Sequence, residues 1–452
     1  MISGQYPSRH GAHHLRSRID FDFPTLPGIL RTQGYHTAII GKTHFVPREV
    51  EAAHVAGVEL PDPLSMPDRE YGDQAFWRSF DGPYLGFEHV RQMFGHSSER
   101  KPSEHYRVWL EDLGWDLAKM DHLHGKDGSS LWPAEERLAG LWPLPEEAHQ
   151  NAWMNDEAER NIRKQHDAGK PWFCWVSYQD PHSPYVCPDP YYSDVDMNGV
   201  DLGGIADGEY DGKPNWYKEL YETGAYGDGK PNPRERFGPA TAHHYKRVAK
   251  PEEAIRAYIG MCNMLDAYIG RLLNTLRSMG ALENTMVVFT SDHGDYLGQH
   301  GLWAKGLPAY DDAQKVPLIV WWPSGMDRVK KGRTQALLSL VDLPATFLDI
   351  AGLDQADGMQ GISQMPVIRG DTCAVREWVL VENLPTSHMQ QMTFVKDNHK
   401  LVVNEAPEST ELYDLHADPG QMQNLANHPE FSSLKARLQS ECDVAISEKD
   451  RR

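Results

Sequence analysis

The sequence predicts an α/β protein: a large mixed sheet flanked by helices, followed by a small carboxyl-terminal antiparallel sheet-and-helix subdomain. Three observations predict it. Three times, a segment with apolar residues at helical spacing ends near a glycine and is followed by a short apolar run: Thr25 to Gly34 then Tyr35 to Ile40, Glu146 to His166 then Pro171 to Tyr178, and a helix opened by Pro251 then Thr285 to Thr290. After residue 372 the pattern changes to short strand-like runs before one last helical stretch. Finally, 452 residues that are 40% hydrophobic supply enough apolar surface for a large core.

Each element has its own signal. Pro27 is tolerable only in the first turn of the helix from Thr25, and Gly34 stops it. Residues 45–148 show weak periodicity, with helices expected at Ser103 to Asp121 and Glu135 to Leu141. The run PWFCWVSY, Pro171 to Tyr178, reads as a buried strand. Residues 196–238 are rich in Gly, Asp and Pro and lack regular pattern, so they read as a substrate-covering excursion or a surface loop. From Pro251 to Gly280, Ile255, Tyr258, Ile259, Cys262, Leu265 and Ile269 recur at three and four, the strongest helical pattern in the chain. Val316 to Trp321 reads as a strand and Leu340 to Ala351 as a helix. Val375 to Glu382, Gln391 to Lys396 and His399 to Asn404 read as strands and Pro429 to Ser440 as the terminal helix. The division implied is a catalytic-type domain over 1–372 and a subdomain over 373–452.

Composition excludes several functions. Lys and Arg number 45 against 65 Asp and Glu, a net charge of −20, which opposes nucleic-acid binding by counterion release. The longest apolar run, Val316 to Trp322, is far short of the roughly 20 residues that span a bilayer, so no membrane partner is expected. No signal peptide follows Met1; a periplasmic or secreted location is expected if the true start lies upstream, and a cytoplasmic one otherwise. Five Cys, widely spaced and without a Cys-x-x-Cys pair, argue against a disulfide framework or zinc site.

The three strands that follow helices run into polar residues of catalytic type. Tyr35 to Ile40 precedes Gly41, Lys42, Thr43 and His44; Pro171 to Tyr178 precedes Asp180, Pro181 and His182; Thr285 to Thr290 precedes Asp292, His293, Gly294 and Asp295. In an open parallel sheet such ends line one edge, where ligands bind. Lys42, Lys305, His44 and His182 could surround a tetrahedral dianion and stabilise charge on its oxygens. Asp292 and His293 offer a hard oxygen and an imidazole nitrogen to a divalent cation, although Asp292 to Asp295 equally suits a plain turn.

The sixteen residues Ser291 to Gly306, SDHGDYLGQHGLWAKG, strongly resemble the carboxyl-side active-site segment of the type I sulfatases, in the alkaline phosphatase superfamily. Gly41-Lys42-Thr43-His44 resembles the family's Gly-Lys-x-His, Asp180 to Tyr185 its Asp-Pro-His-x-Pro, and Glu411 to Leu415 with Asp418-Pro419 and Asn424-Leu425 its carboxyl-terminal signature. The resemblance implies an alkaline-phosphatase-like large mixed sheet and hydrolysis of a sulfate monoester of a carbohydrate or small organic molecule. It implies that Lys42 and Lys305 bind the sulfate, that His182 hydrogen-bonds the ester as general acid, and that His44 sits beside the nucleophile as its base partner. Asp292 and His293 would be metal ligands, for Ca2+ before Mg2+ or Mn2+.

The family's nucleophile is formylglycine, made in a Cys/Ser-x-Pro-x-Arg motif ahead of the segment that Ser3 to Pro7 resembles; none of the five Cys lies in such a motif, and its one occurrence, Ser65-Met66-Pro67-Asp68-Arg69, comes after that segment. Ser3 to Pro7 with His10-Gly11 resembles the stretch that follows it, so the motif and a pair of metal-binding Asp are expected upstream of Met1. The first expectation is therefore an ordinary sulfatase recorded from an internal Met, inactive as it stands. The alternatives are a phosphodiester or phosphonate monoester hydrolase of the same superfamily and a non-catalytic binder of sulfated glycans.

Overall fold

The computed structural model describes all residues except 14–18, 20–21, 44, 46–73, 94–101, 116–138, 143, 224–249, 327–328, 384–389, 405–408 and 452. It comprises two compact units, one of Pro27–Leu202 and Arg247–Thr285, the other of Met1–Leu26, Gly203–Lys246 and Met286–Arg452.

The first unit holds β1 (His36–Lys42), β2 (His89–Met93), β3 (Ala139–Leu141), β4 (Trp172–Ser177) and β5 (Tyr185–Cys187). A parallel sheet runs in the order β2-β1-β4, with Ala38 opposite both His89 and Cys174. β1 is buried from His36 to Gly41, as a central parallel strand covered on both faces must be. β3 and β5 form a separate parallel pair. The helix Gln150–Asp167 starts at His149, whose side chain accepts from the Asn151 N–H, and buries Trp153, Met154 and Ala158 against Ile40, Met93 and Leu110. The long helix Pro251–Ser278 has Pro at its start and Glu252 and Glu253 in its first turn, both suited to the exposed N–H groups there. It passes so close to the Tyr191 carbonyl that a Cβ on Gly260 would lie 2.8 Å from it.

Two expected helices need correction. The helix at 103–121 is seen as Glu104–Asp112, ending before Gly114 in a left-handed conformation, and 116–121 lie outside the described residues. The expected helix Glu135 to Leu141 is strand β3 where it is described, because Ala139 to Leu141 hydrogen-bond β5.

The second unit pairs β6 (Val287–Thr290) antiparallel with β7 (Leu318–Trp321). Its other sheet, β11-β10-β9-β8, is antiparallel throughout and is built from β8 (Val379–Asn383), β9 (Gln391–Lys396), β10 (His399–Asn404) and β11 (Glu411–Asp414). Asp397 and Asn398 turn β9 into β10 with both φ angles positive, the two-residue turn whose twist matches a hairpin. Leu438, Cys442 and Ala445 of the helix Ser432–Arg451 pack on Phe394, Leu401 and Leu412, completing the small sheet-and-helix subdomain. The beginning of the chain is fastened to it: the Ser8 N–H donates to Glu382, whose carboxylate also pairs with Lys449 at 3.0 Å. The expected irregular stretch 196–238 contains a helix, Asn215–Thr223, whose Tyr217 is buried and donates to Glu411 at 2.6 Å. Among the described residues no helix is long and apolar enough to cross a membrane.

Candidate active site

In the first unit, register puts Gly41 opposite Ser177, so β1 and β4 end side by side, with Lys42 the last residue of β1 and Gln179 to His182 just beyond β4. Only glycine allows this approach: Gly41 has φ +110°, and a Cβ there would meet the Ser177 carbonyl oxygen at 2.2 Å. Lys42 and His182 are both half-buried, and His182 bonds through its N–H to the Gln179 carbonyl at 3.0 Å and through Nδ1 to the Ser183 carbonyl. Asp180 beneath it is buried and accepts from Asn151 Nδ2 at 2.8 Å and Gln150 Nε2 at 3.0 Å. Burial raises its pKa to about 7 despite those donors. His149, 3.9 Å away, is pushed down to about 3 by burial. His44 lies outside the described residues.

In the second unit, β6 ends at Thr290 and the chain enters a tightly bonded loop. Asp292 Oδ1 accepts the His293 N–H at 3.0 Å, and His293 Nδ1 faces the Gly294 carbonyl at 2.8 Å. Asp295 caps the Leu297 N–H at 2.9 Å, while Tyr296 and Gly298 bond across to Ala304 and Leu302. This ladder fixes the direction in which Lys305, half-buried, leaves the loop. Gly294 is indispensable here, since a Cβ would lie 1.8 Å from the Asp312 carbonyl oxygen. Lys42 and the segment leading to His182 thus follow neighbouring strand ends, and Asp292, His293 and Lys305 share one loop.

The divalent cation is not supported. Among the described residues no three His, Cys, Asp or Glu side chains gather to hold a metal ion. Asp292 and His293 are adjacent, with His293 Nε2 3.6 Å from Asp292 Oδ2, and Asp292 is 61% exposed. Two such groups fall well short of the six to eight oxygens that Ca2+ takes. The residues present do not fit the ion, so the expected Ca2+ site is corrected and no step is routed through it. No described residue lies in a Cys/Ser-x-Pro-x-Arg motif that could carry formylglycine. Four of the five thiols are poor nucleophiles: burial pushes Cys174, Cys262 and Cys442 up to about 12 and Cys187 higher still, leaving each a neutral thiol, while Cys373 is exposed.

Sequence reasoning missed His300 and its partners. His300 is buried, stacks on Tyr310 at 3.7 Å, and has Nδ1 2.5 Å from Glu209 and Nε2 3.3 Å from Asp312. Burial opposes its charge, but the bonds to Asp312 and Glu209 outweigh that and raise its pKa. Its presence in the Gly-x-His-Gly motif was visible, but Glu209, 91 residues away, carried no signal.

Comparison with known proteins agrees with this fold and these motifs. A model of the sulfatase family matches residues 1–353, and one described as "N-sulphoglucosamine sulphohydrolase, C-terminal" matches 298–448. An arylsulfatase of Clostridium perfringens is 26% identical over 441 residues, covering 95% of this chain and 80% of that protein. A choline-sulfatase of Rhizobium meliloti is 25% identical over 464 residues, covering 99% and 76%. Among solved structures, a phosphonate monoester hydrolase from Silicibacter pomeroyi matches with a TM-score of 0.72 at 22% identity, covering 100% of this chain and 84% of that one. Another from Agrobacterium radiobacter matches with a TM-score of 0.71 at 20% identity, with the same coverage. With a family model spanning most of its length, the chain belongs to the sulfatase family, hydrolases of sulfate and phosphate-type esters on an alkaline-phosphatase-like α/β fold.

Proposed function

We propose that this chain grips a tetrahedral oxyanion ester for hydrolysis, with Lys42 as a cation that holds its non-bridging oxygens and with Lys305, by family resemblance, in the same role. His182 hydrogen-bonds the ester oxygen and delivers a proton to the leaving group, and His44, by family resemblance, stands beside the attacking group. The observation that supports this reading is the side-by-side ending of β1, whose last residue is Lys42, and β4, which the segment Gln179 to His182 follows. Cations fixed before the reaction stabilise charge that grows on the oxygens as the ester bond breaks, at no cost in reorganisation. No attacking group is assigned to residues 1–452.

A phosphonate monoester or phosphodiester is the reading we favour for the substrate, supported by the likeness to the two phosphonate monoester hydrolases. A sulfate monoester, of a glycan or small organic molecule, is supported by the names of the arylsulfatase and choline-sulfatase relatives. Turnover of an aryl phosphonate monoester, an aryl phosphodiester and an aryl sulfate by the same preparation separates them. Faster turnover of the phosphorus esters is expected; faster turnover of the sulfate replaces the first reading by the second. Binding of sulfated glycan with no turnover of any ester supports the non-catalytic binder instead.

A further inference from the structure

Residues 203–213 are fastened to the loop that carries Lys305, and His300 is the centre of the fastening. The Gly204 N–H donates to the Gly298 carbonyl at 2.7 Å and the Gly301 N–H to the Gly204 carbonyl at 2.8 Å. Gly203 lies so near that a Cβ would be 2.3 Å from the Gly298 carbonyl carbon. Tyr210 donates its hydroxyl to the His300 carbonyl at 2.5 Å, and Lys213 Nζ donates to the Tyr310 hydroxyl at 2.9 Å. His300 itself has φ +56°, a left-handed backbone that a side chain-bearing residue keeps only when its surroundings fix it. Its ring lies between the two carboxylates of Glu209 and Asp312 with its face on Tyr310. Asp312 continues the line: its carbonyl oxygen presses on Gly294, and the Gly294 N–H donates to the next carbonyl, Ala313, at 2.9 Å. Gly294 directly follows Asp292 and His293.

We propose that His300 is a positioning residue: as an imidazolium joined to Glu209 and Asp312, it clamps residues 203–213 onto the loop and fixes the stretch 292–305 that presents Asp292, His293 and Lys305. The consequence for oxyanion binding rests on the function proposed above, whereas the clamp itself does not. Groups facing the imidazole are Glu209 from the strap, Asp312 and Tyr310 from the far side of the loop, and Tyr210 at its carbonyl, with Lys213 4.8 Å above the Tyr310 ring. Since the folded pKa of His300 is raised, the clamp is complete below the ordinary histidine range and is lost as pH rises through the folded value.

The test is amide hydrogen exchange of the chain, followed over 294–306 and over β9 and β10, with titration by inorganic phosphate and inorganic sulfate. His300→Gln is expected to lower protection of 294–306 about tenfold while β9 and β10 keep theirs. In the unmodified chain, protection of the loop, corrected for intrinsic rates, is expected to fall as pH rises through the imidazole pKa. Glu209→Gln is expected to move that midpoint to lower pH, and Asp312→Asn to do the same. Protection unchanged in all three variants, an unmoved midpoint, or a loss shared equally by β9 and β10 overturns the clamp. If the unmodified chain binds neither phosphate nor sulfate, the oxyanion reading fails while the exchange result still decides the role of His300.

Discussion

Gly41 is the residue on which the paired strand ends depend. Its positive φ and the 2.2 Å approach to the Ser177 carbonyl leave no room for a methyl group. Gly41→Ala is predicted to destabilise the fold by about 3 kcal/mol or more, measured by chemical denaturation. A loss below about 1 kcal/mol would show that the strand ends can separate cheaply. Asp180 offers a second prediction, in pH. Burial lifts its pKa from 3.8 to about 7, so between those values the folded chain keeps a proton that the unfolded chain has released. The stability contributed by the neutral carboxyl is full below 3.8 and is lost as pH rises through about 7. Asp180→Asn has no proton to release and should flatten the melting temperature across that window, with a gain on the order of a few kcal/mol at its upper end. Melting curves of the two proteins that stay parallel with pH would contradict this.

Among elements, the helix Asp342–Ile350 is held by its first residue. Asp342 is fully buried and takes a bidentate pair from Arg376, with further donors from the Ile362 N–H at 2.8 Å and the Ser339 N–H at 3.0 Å. Removing Arg376 leaves a buried carboxylate short of its only cationic partner among the described contacts. Arg376→Ala is predicted to cost about 3–5 kcal/mol by denaturant titration, and substantially more than an exposed pair such as Arg437 with Glu441. Similar losses at the two positions would refute the argument from burial. The legible elements were those with a long or strongly periodic signal. Pro251–Ser278 declared itself by its apolar repeat and its first-turn Pro, and β9 and β10 by short strand-like runs on either side of Asp397-Asn398. β3 and β5 have three residues each, too few for a period to show. The helix Asn215–Thr223 was hidden because Gly, Asp and Pro around it outweigh Trp216, Tyr217 and Tyr221, whose burial is decided by residues far away in sequence such as Glu411.

For the whole molecule, the local motifs told more than the overall composition. The net charge of −20 argues against polyanionic partners but says nothing of single cations such as Lys42 and Lys305. The strand-end segments drew attention to Lys42, His182 and the loop 291–306, because each comes within a few residues of an apolar run. The metal expectation failed for a physical reason: two neighbouring donors do not make a coordination sphere, and the described residues bring no third to them. The clamp at His300 was illegible because its two carboxylates come from different segments, one of them 91 residues away.

The central proposal is that a tetrahedral oxyanion binds through Lys42 and, by family resemblance, through Lys305. The most direct measurement is calorimetric titration of the chain with an aryl phosphonate monoester and an aryl sulfate, repeated on Lys42→Ala and Lys305→Ala. The account predicts saturable binding that weakens at least about tenfold in each variant, the loss of a charge-assisted contact. Binding that survives both substitutions, or no binding of either ligand by the unmodified chain, would contradict it.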